Sequence, residues 1–573
     1  MGFLPFTTKA RETEATSEQS SDRLSVIDDG NLQFTAGGGA NSSKLTYQEA
    51  SGAPIEAKSP LGYSVGAVTV IFLNLSMMIG TGVFSTPSAV LEGAGSVGLS
   101  LFYWVIGFFM AWSMLSVYLE YVSYFPSRSG SEVVYLEQAY PRPKYFFPTV
   151  FAMQTVLFSF SSSNAVVLAE YLFKLADAET TAWKEKGVAV AVYTVAALLL
   201  SFNTKWSLWL ANAIGIVKLV TLIFIGITGL VVLGGHTPVA DPLVNFHDAF
   251  SGTSGATVYG ATNALVKVMF SYAGYSNACN VANEVTNPVK TLRWSAPAAL
   301  FLTAVLYILV NIAYFSAASK EEILNSSVTA ASLFFEKVFG TSGASRALNF
   351  LICLSAFGNL LAVLIGQSRM LRECGRQGVL PFTEFWTSTR PFGTPLGPYF
   401  LKWSLTVIMI LAPPAGDAFN FIVDLSIYPS NAFNFLLAVG ILITRHRRKR
   451  LNFPSSGYRA WTVSVCFAIL SSLYMLVAPW YPPSTGADGG DVSFCIAACG
   501  AYYYLWIKIL PRLGKYELRQ TIITVGGDAT AHKLVRVPVS QVEEWDREHD
   551  ATGRARRRNV IQEEVLTKSD LSA

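Results

Sequence analysis

The chain has 573 residues, of which 51% are hydrophobic and only 14% are charged, with a net charge of +4. Soluble domains carry about 25% charged residues, so the composition points to a membrane protein and gives no reason to expect a nucleic-acid partner. Six cysteines form no CxxC pair, the five histidines fall outside the apolar runs, and no HExxH, Walker A or GxSxG context occurs; neither an enzyme nor a metal or cofactor site is expected.

Residues 1–60 are polar, rich in Ser, Gly and Thr, and read as a disordered cytosolic tail. A core follows over 61–513, and a second cytosolic tail over 514–573 carries the basic cluster Arg554, Arg556, Arg557 and Arg558. A bilayer crossing needs about 20 apolar residues. By that measure twelve spans fall near 64–91, 96–124, 147–176, 187–203, 208–234, 261–285, 295–318, 346–371, 397–413, 416–444, 459–480 and 492–510. The LFFEKVF segment within 319–345 reads as a short helix in an outer loop.

Loop charges set the sidedness. With the N-terminus inside, inner loops collect most of the Lys and Arg, including the run RHRRKR at 445–450, which reads as an inner-leaflet anchor on membrane lipid. Both termini are then cytosolic. The sequon at Asn325 lies outside and is a glycosylation candidate; the one at Asn41 lies inside.

The first span is interrupted at its centre by Ile79-Gly80-Thr81-Gly82. Glycine costs roughly 1 kcal/mol per helical position relative to alanine. Unwound backbone at membrane depth survives only where protein or a water-filled cavity receives it. The sixth span has a matching weak point at Ser271-Tyr272-Ala273-Gly274-Tyr275-Ser276. Five crossings separate the two, so they run in opposite directions, the pattern of an inverted-repeat transporter. Close helix packing through small residues is the competing explanation. The repeats would cover 61–234 and 261–444, with two added helices over 457–510.

Opposed breaks define a ligand. The outer half of the first span begins near Gly82 with free N–H groups that favour a carboxylate. Helix ends near Ile79, Ser271 and Tyr272 present carbonyls that favour an ammonium. A site wanting both suits an α-amino acid. Lys218 lies too deep in the fifth span to reach water easily; it reads as a proton-exchanging group or as a fixed cation in place of sodium, with a snorkelling lysine as the alternative. Glu284 either pairs across an inner gate or is an interfacial acid. Asp424 and Lys267 are weaker candidates, and Glu120 reads as interfacial.

IGTGVFSTP at 79–87, FSYAGYSN at 270–277, NEVTNP at 283–288 and SRMLRECGRQGVLP at 368–381 resemble the amino acid–polyamine–organocation superfamily, in its L-type amino acid transporter branch. Within it the chain looks most like the fungal high-affinity methionine permeases. The resemblance implies an all-α, twelve-helix protein of the leucine-transporter type, with five-plus-five inverted repeats and two C-terminal helices. It implies that backbone at Thr81 and Gly82 holds the substrate carboxylate. Carbonyls at Ile79 and around Phe270, Ser271 and Ala273 would hold the amine, with Gly80, Gly274 and Ser276 completing the breaks. Phe270 matches an aromatic that closes over substrate. Lys218 and Ser355 match residues of the region where other relatives hold sodium.

Two departures stand out. The loop at about 177–186 lacks the cysteine that joins animal relatives to a heavy subunit, so no disulfide-linked partner is expected. Ala273-Gly274-Tyr275-Ser276 replaces Gly-Gly-Trp-Asn. The expected function is import of an amino acid, methionine or a related neutral one, at the plasma membrane with protons as coupling ion. A sodium-independent exchanger of large neutral amino acids and an amino acid sensor are the alternatives.

Overall fold

The computed structural model describes residues 61–549 except 127, 159–160, 327–328, 341–342, 413–417, 451–455, 479–498 and 526–528. It adds Ala53, Gly553 and the backbone alone at 27–29, 32–37, 46–49, 158, 204, 344–345 and 418–428. Three short antiparallel strands, β1 (Ile27–Asp29), β2 (Leu32–Gly37) and β3 (Thr46–Glu49), lie in the segment expected to be a disordered tail. The other residues of that tail, apart from Ala53, and the arginines at 554–558 lie outside the described residues.

The rest is mostly helical. The first span forms as α1 (Ala67–Met78), α2 (Gly82–Ser85) and α3 (Pro87–Ala94). Pro87 occupies the first turn of α3, where its missing N–H is harmless, and Gly95 closes that helix at φ +72°. Next come α4 (Val97–Tyr124), α5 (Glu132–Ala139), α6 (Phe146–Phe158), α7 (Ser162–Ala176), α8 (Ala182–Phe202) and α9 (Thr204–Leu233). Asn203 separates the last two by capping α9, its side chain accepting from the N–H groups of Lys205 and Trp206.

After the short α10 (Val244–His247), the sixth span forms α11 (Val258–Tyr272) and, past a break, a tighter turn of helix over Asn277–Glu284. Then follow α12 (Pro288–Ala317), α13 (Lys320–Asn325), α14 (Ala330–Phe339), α15 (Gly343–Arg376), α16 (Thr383–Thr387), α17 (Leu396–Leu411), α18 (Ala418–Arg450) and α19 (Thr462–Val477). Among the described residues seven helical stretches are long and apolar enough to cross a membrane, and α17 and α19 are shorter apolar helices. Of the expected twelfth span, 492–498 lie outside the described residues; the rest is helical, with a wider-wound stretch over Tyr504–Ile509.

The expected third span matches the apolar stretch Phe146–Ala176, which holds α6 and α7; Ser161, just before α7, has φ −120° and ψ 28°. Glu120 is fully buried in protein, where Arg445 grips both its oxygens at 2.6 and 2.7 Å while Tyr124 and the Ala460 N–H donate to it. The basic run is accordingly engaged by protein: Arg447 donates to the carbonyls of Gln138 and Ala139, and Arg448 sits 4.3 Å over the Tyr124 ring.

The segment after 513 carries structure of its own. Strands β4 (Tyr516–Val525) and β5 (Ala529–Pro538) form an antiparallel hairpin, and β5 packs on α15 and α16. Arg376 donates to the Thr530 carbonyl at 2.9 Å. Gly378, at φ +77°, lies so close to the His532 carbonyl that an added Cβ would sit 2.5 Å from its oxygen.

Candidate functional site

Both anticipated breaks are present, and they touch. α1 stops at Ile79, whose φ and ψ of −76° and 76° leave the helix, and α2 restarts after Thr81. α11 stops at Ala273. Gly274 follows at φ +116°, a conformation closed to other residues without strain. A Cβ there would meet Met77 at 2.5 Å, and one on Gly82 would meet the Ser271 backbone at 2.9 Å. Glycine is therefore required twice, once for conformation and once for approach.

The exposed end of α1 is met by side chains from three other helices. Lys218 of α9 donates to the carbonyls of Ser76 at 2.8 Å and Ile79 at 2.7 Å. Asn359 of α15 donates to Met77 at 2.5 Å, and Ser355 approaches Ile79 at 3.4 Å. Tyr307 of α12 lies between the breaks, its hydroxyl 2.6 Å from the Met78 carbonyl and 2.9 Å from that of Ser271. Asn74 clasps the sixth span from α1, donating to the Tyr275 carbonyl and accepting from the Ala278 N–H, each at 2.7 Å. On the other side, Asn164 of α7 accepts from the Thr81 hydroxyl at 2.6 Å and from the Thr81 N–H at 3.4 Å.

A cavity of about 260 Å³ opens where these elements meet. Gly80, Thr81, Gly82, Phe270, Ala273, Gly274 and Ser276 line it. Three expected positions stand back from the wall. Ile79 turns its carbonyl to Lys218 and Ser355, Ser271 gives its carbonyl to Tyr307, and Tyr272 points its hydroxyl to the Trp104 carbonyl at 3.1 Å. The first N–H groups of a helix have no partner within it, so α2 turns its donor end toward this space. The remaining wall mixes apolar and sulfur-bearing side chains, among them Met77, Met269, Met370, Phe151 and Phe433, with amides and hydroxyls such as Gln154, Asn164, Asn280, Asn359 and Asn431. Among the described lining residues Glu132 alone carries a charge.

Glu284 is fully buried and pairs with Arg369 at 3.0 Å, while Arg369 also donates to the Tyr399 hydroxyl at 2.8 Å. The Glu284 carbonyl accepts from the Val65 N–H, so the start of α1 and the end of the sixth span are joined there. Lys267 is buried in α11. The Asp424 side chain lies outside the described residues. Asn325 is exposed at the end of α13, and Ser327 of its sequon lies outside the described residues.

Residues 65–502 match the profile of the family described as amino acid permease. The chain belongs to the amino acid permease family, of the amino acid–polyamine–organocation superfamily. It is a transporter of amino acids and not an enzyme. The permease is 38% identical to the high-affinity methionine permease of Saccharomyces cerevisiae over 79% of this chain and 81% of that one. It is 29% identical to the low-affinity methionine permease of the same yeast over 84% and 89% of the two chains. Identity to the human cystine/glutamate transporter is 27% over 79% and 88%.

Sequence reasoning missed Asn164, Asn359, Tyr307 and Glu132. The first two had a visible signal, since an unpaired amide inside an apolar span needs a partner. Tyr307 had none, as a tyrosine in a span is commonplace. Glu132 lies in a polar loop that only the fold turns toward the cavity.

Proposed function

We propose that this permease imports methionine, or a related neutral amino acid, by proton-coupled alternating access through a twelve-helix inverted-repeat core. It would act at the plasma membrane with both termini in the cytosol. The observation that carries the reading is the cavity wall. It combines a helix start at Thr81-Gly82 for a carboxylate, a broken sixth span for an ammonium, and three methionines and two phenylalanines among uncharged amides and hydroxyls. A thioether gains from aromatic neighbours, and the likeness to two yeast methionine permeases supports the same substrate.

Lys218 and Ser355 hold the break at Ile79 where a sodium ion would otherwise be needed, which fits a sodium-independent carrier. An anionic side chain on the substrate, as in an exchanger of glutamate, would call for a cation in the wall; among the described lining residues there is none.

The test is uptake of labelled methionine into liposomes holding the purified permease, with each natural amino acid as competitor, under an outside-acid gradient and without one. Methionine and other neutral amino acids should compete, and the acid gradient should drive accumulation. Equal competition by charged amino acids would overturn the substrate assignment. Uptake only into vesicles preloaded with amino acid would overturn import in favour of exchange.

A further inference from the structure

The charged group in the cavity wall has no role in the scheme above. Glu132 opens α5, and its oxygens are met by two hydroxyls: Tyr118 of α4 at 2.6 Å and Ser131 at 2.5 Å. Among the described residues no lysine or arginine pairs with it. Each of those hydroxyls has a second acceptor. Tyr118 lies 3.2 Å from Oδ1 of Asn434 on α18, and Ser131 lies 2.6 Å from Oδ1 of Asn280 in the inner half of the sixth span. A hydroxyl has one proton to give, so each donates either to Glu132 or to an asparagine.

We propose that Glu132 is a proton-carrying carboxylate of the transport cycle, and that its charge state sets whether Tyr118 and Ser131 hold Glu132 or hold the sixth span and α18. This inference rests on the reading of the permease as proton-coupled. A proton arriving from the outer solution through the cavity forms an O–H bond on one carboxylate oxygen. The carboxyl group then accepts more weakly, and both hydroxyls turn to Asn434 and Asn280. α4 and the 129–131 loop are thereby bonded to α18 and to the inner half of the sixth span. When that region faces the cytosol the O–H bond breaks and the proton leaves to water. The hydroxyls return to the carboxylate, and the inner half of the sixth span is released on that side. No oxidant or second reactant enters the step.

The groups around the carboxylate are neutral or already paired. Tyr275 and Cys279 of the sixth span, Tyr135 of α5 and Cys374 of α15 lie within its electrostatic reach and are neutral at ordinary pH. The charged groups on packed elements are otherwise engaged. On α15, Arg369 is bound to Glu284, Arg376 to Glu373, and Arg372 donates to the Thr387 carbonyl. On α18, Arg445 holds Glu120 and Arg447 binds the opposite end of α5. Arg128 is buried in the preceding loop and Glu137 in α5 itself. α6 contributes no titratable side chain.

The test uses the full chain in liposomes. Methionine accumulation under an outside-acid gradient is measured for the wild type, Glu132→Gln and Tyr118→Phe, each divided by that protein's own methionine counterflow. Reduced turnover then does not mimic lost coupling. In Glu132→Gln the stimulation by acid should vanish. Stimulation equal to that of the wild type would overturn the role of Glu132 and leave proton coupling standing. No stimulation in the wild type itself would overturn both.

Tyr118→Phe keeps the carboxylate and removes one donor that favours its ionised form. The pH at which uptake is half-maximal should move upward, by about one unit. An unmoved midpoint would count against Glu132 even if the glutamine variant failed to fold.

Discussion

The ammonium of Lys218 lies 2.7 Å from the carbonyl oxygen of Ile79, at the point where the first span stops being a helix. A positive side chain at the C-terminal end of a helix meets both its unbonded carbonyls and the negative end of its dipole. Lys218→Met keeps the aliphatic stem and removes that donor. A buried acceptor left without its partner costs about 1–3 kcal/mol. Uptake should fall about tenfold or more, the equivalent of about 1.4 kcal/mol, with a lower melting temperature in detergent. Normal uptake with unchanged pH dependence would remove Lys218 from the transport scheme.

Gly274→Ala should be more damaging than its single methyl suggests. The φ of +116° strains any residue with a Cβ, and the new atom would overlap Met77. Overpacking of this kind costs about 1–3 kcal/mol. Methionine binding, read by equilibrium dialysis, should be lost before folding is. Alanine tolerated with full affinity would mean that the two breaks need not touch.

Glu284 and Arg369 form a buried pair with almost no solvent contact. Removing one member of such a pair costs about 3–5 kcal/mol, whereas replacing both with apolar residues is often close to neutral. Arg369→Met should therefore lower the melting temperature more than the double change Glu284→Leu with Arg369→Met. Equal losses would show that the pair contributes nothing beyond its separate members.

Tyr307→Phe tests the link between the two breaks. The ring stays wedged 5.3 Å from Trp104 and 5.2 Å from Tyr272, so the fold should survive. Loss of the hydroxyl removes about 0.5–1.5 kcal/mol of hydrogen bonding. The expected signature is a raised KM for uptake with little change in melting temperature. An unchanged KM would show that the two helix ends hold their places without it.

The two helix breaks were legible because glycine announces itself in a hydrophobic run, and because Gly80, Gly82 and Gly274 fall where a helix should be continuous. What satisfies the broken ends was not legible, since Lys218, Asn359 and Tyr307 come from helices distant in sequence. Lys218 alone was singled out, because an ionised group at membrane depth is expensive wherever it points. The position of Glu120 near a span end said nothing about Arg445, more than three hundred residues away. The non-helical backbone of Ser161 had no signal in the sequence, because serine is tolerated in helices.

The hairpin of β4 and β5 bears on where this protein ends. Hydropathy draws a line near residue 513, dividing what dissolves in lipid from what dissolves in water. The folded unit does not respect that line. A chain cut there would uncover Gly378, take from Arg376 the Thr530 carbonyl it donates to, and leave Tyr145 without Gln520. Truncation at the apparent margin of the membrane core would remove a piece that the core is packed against.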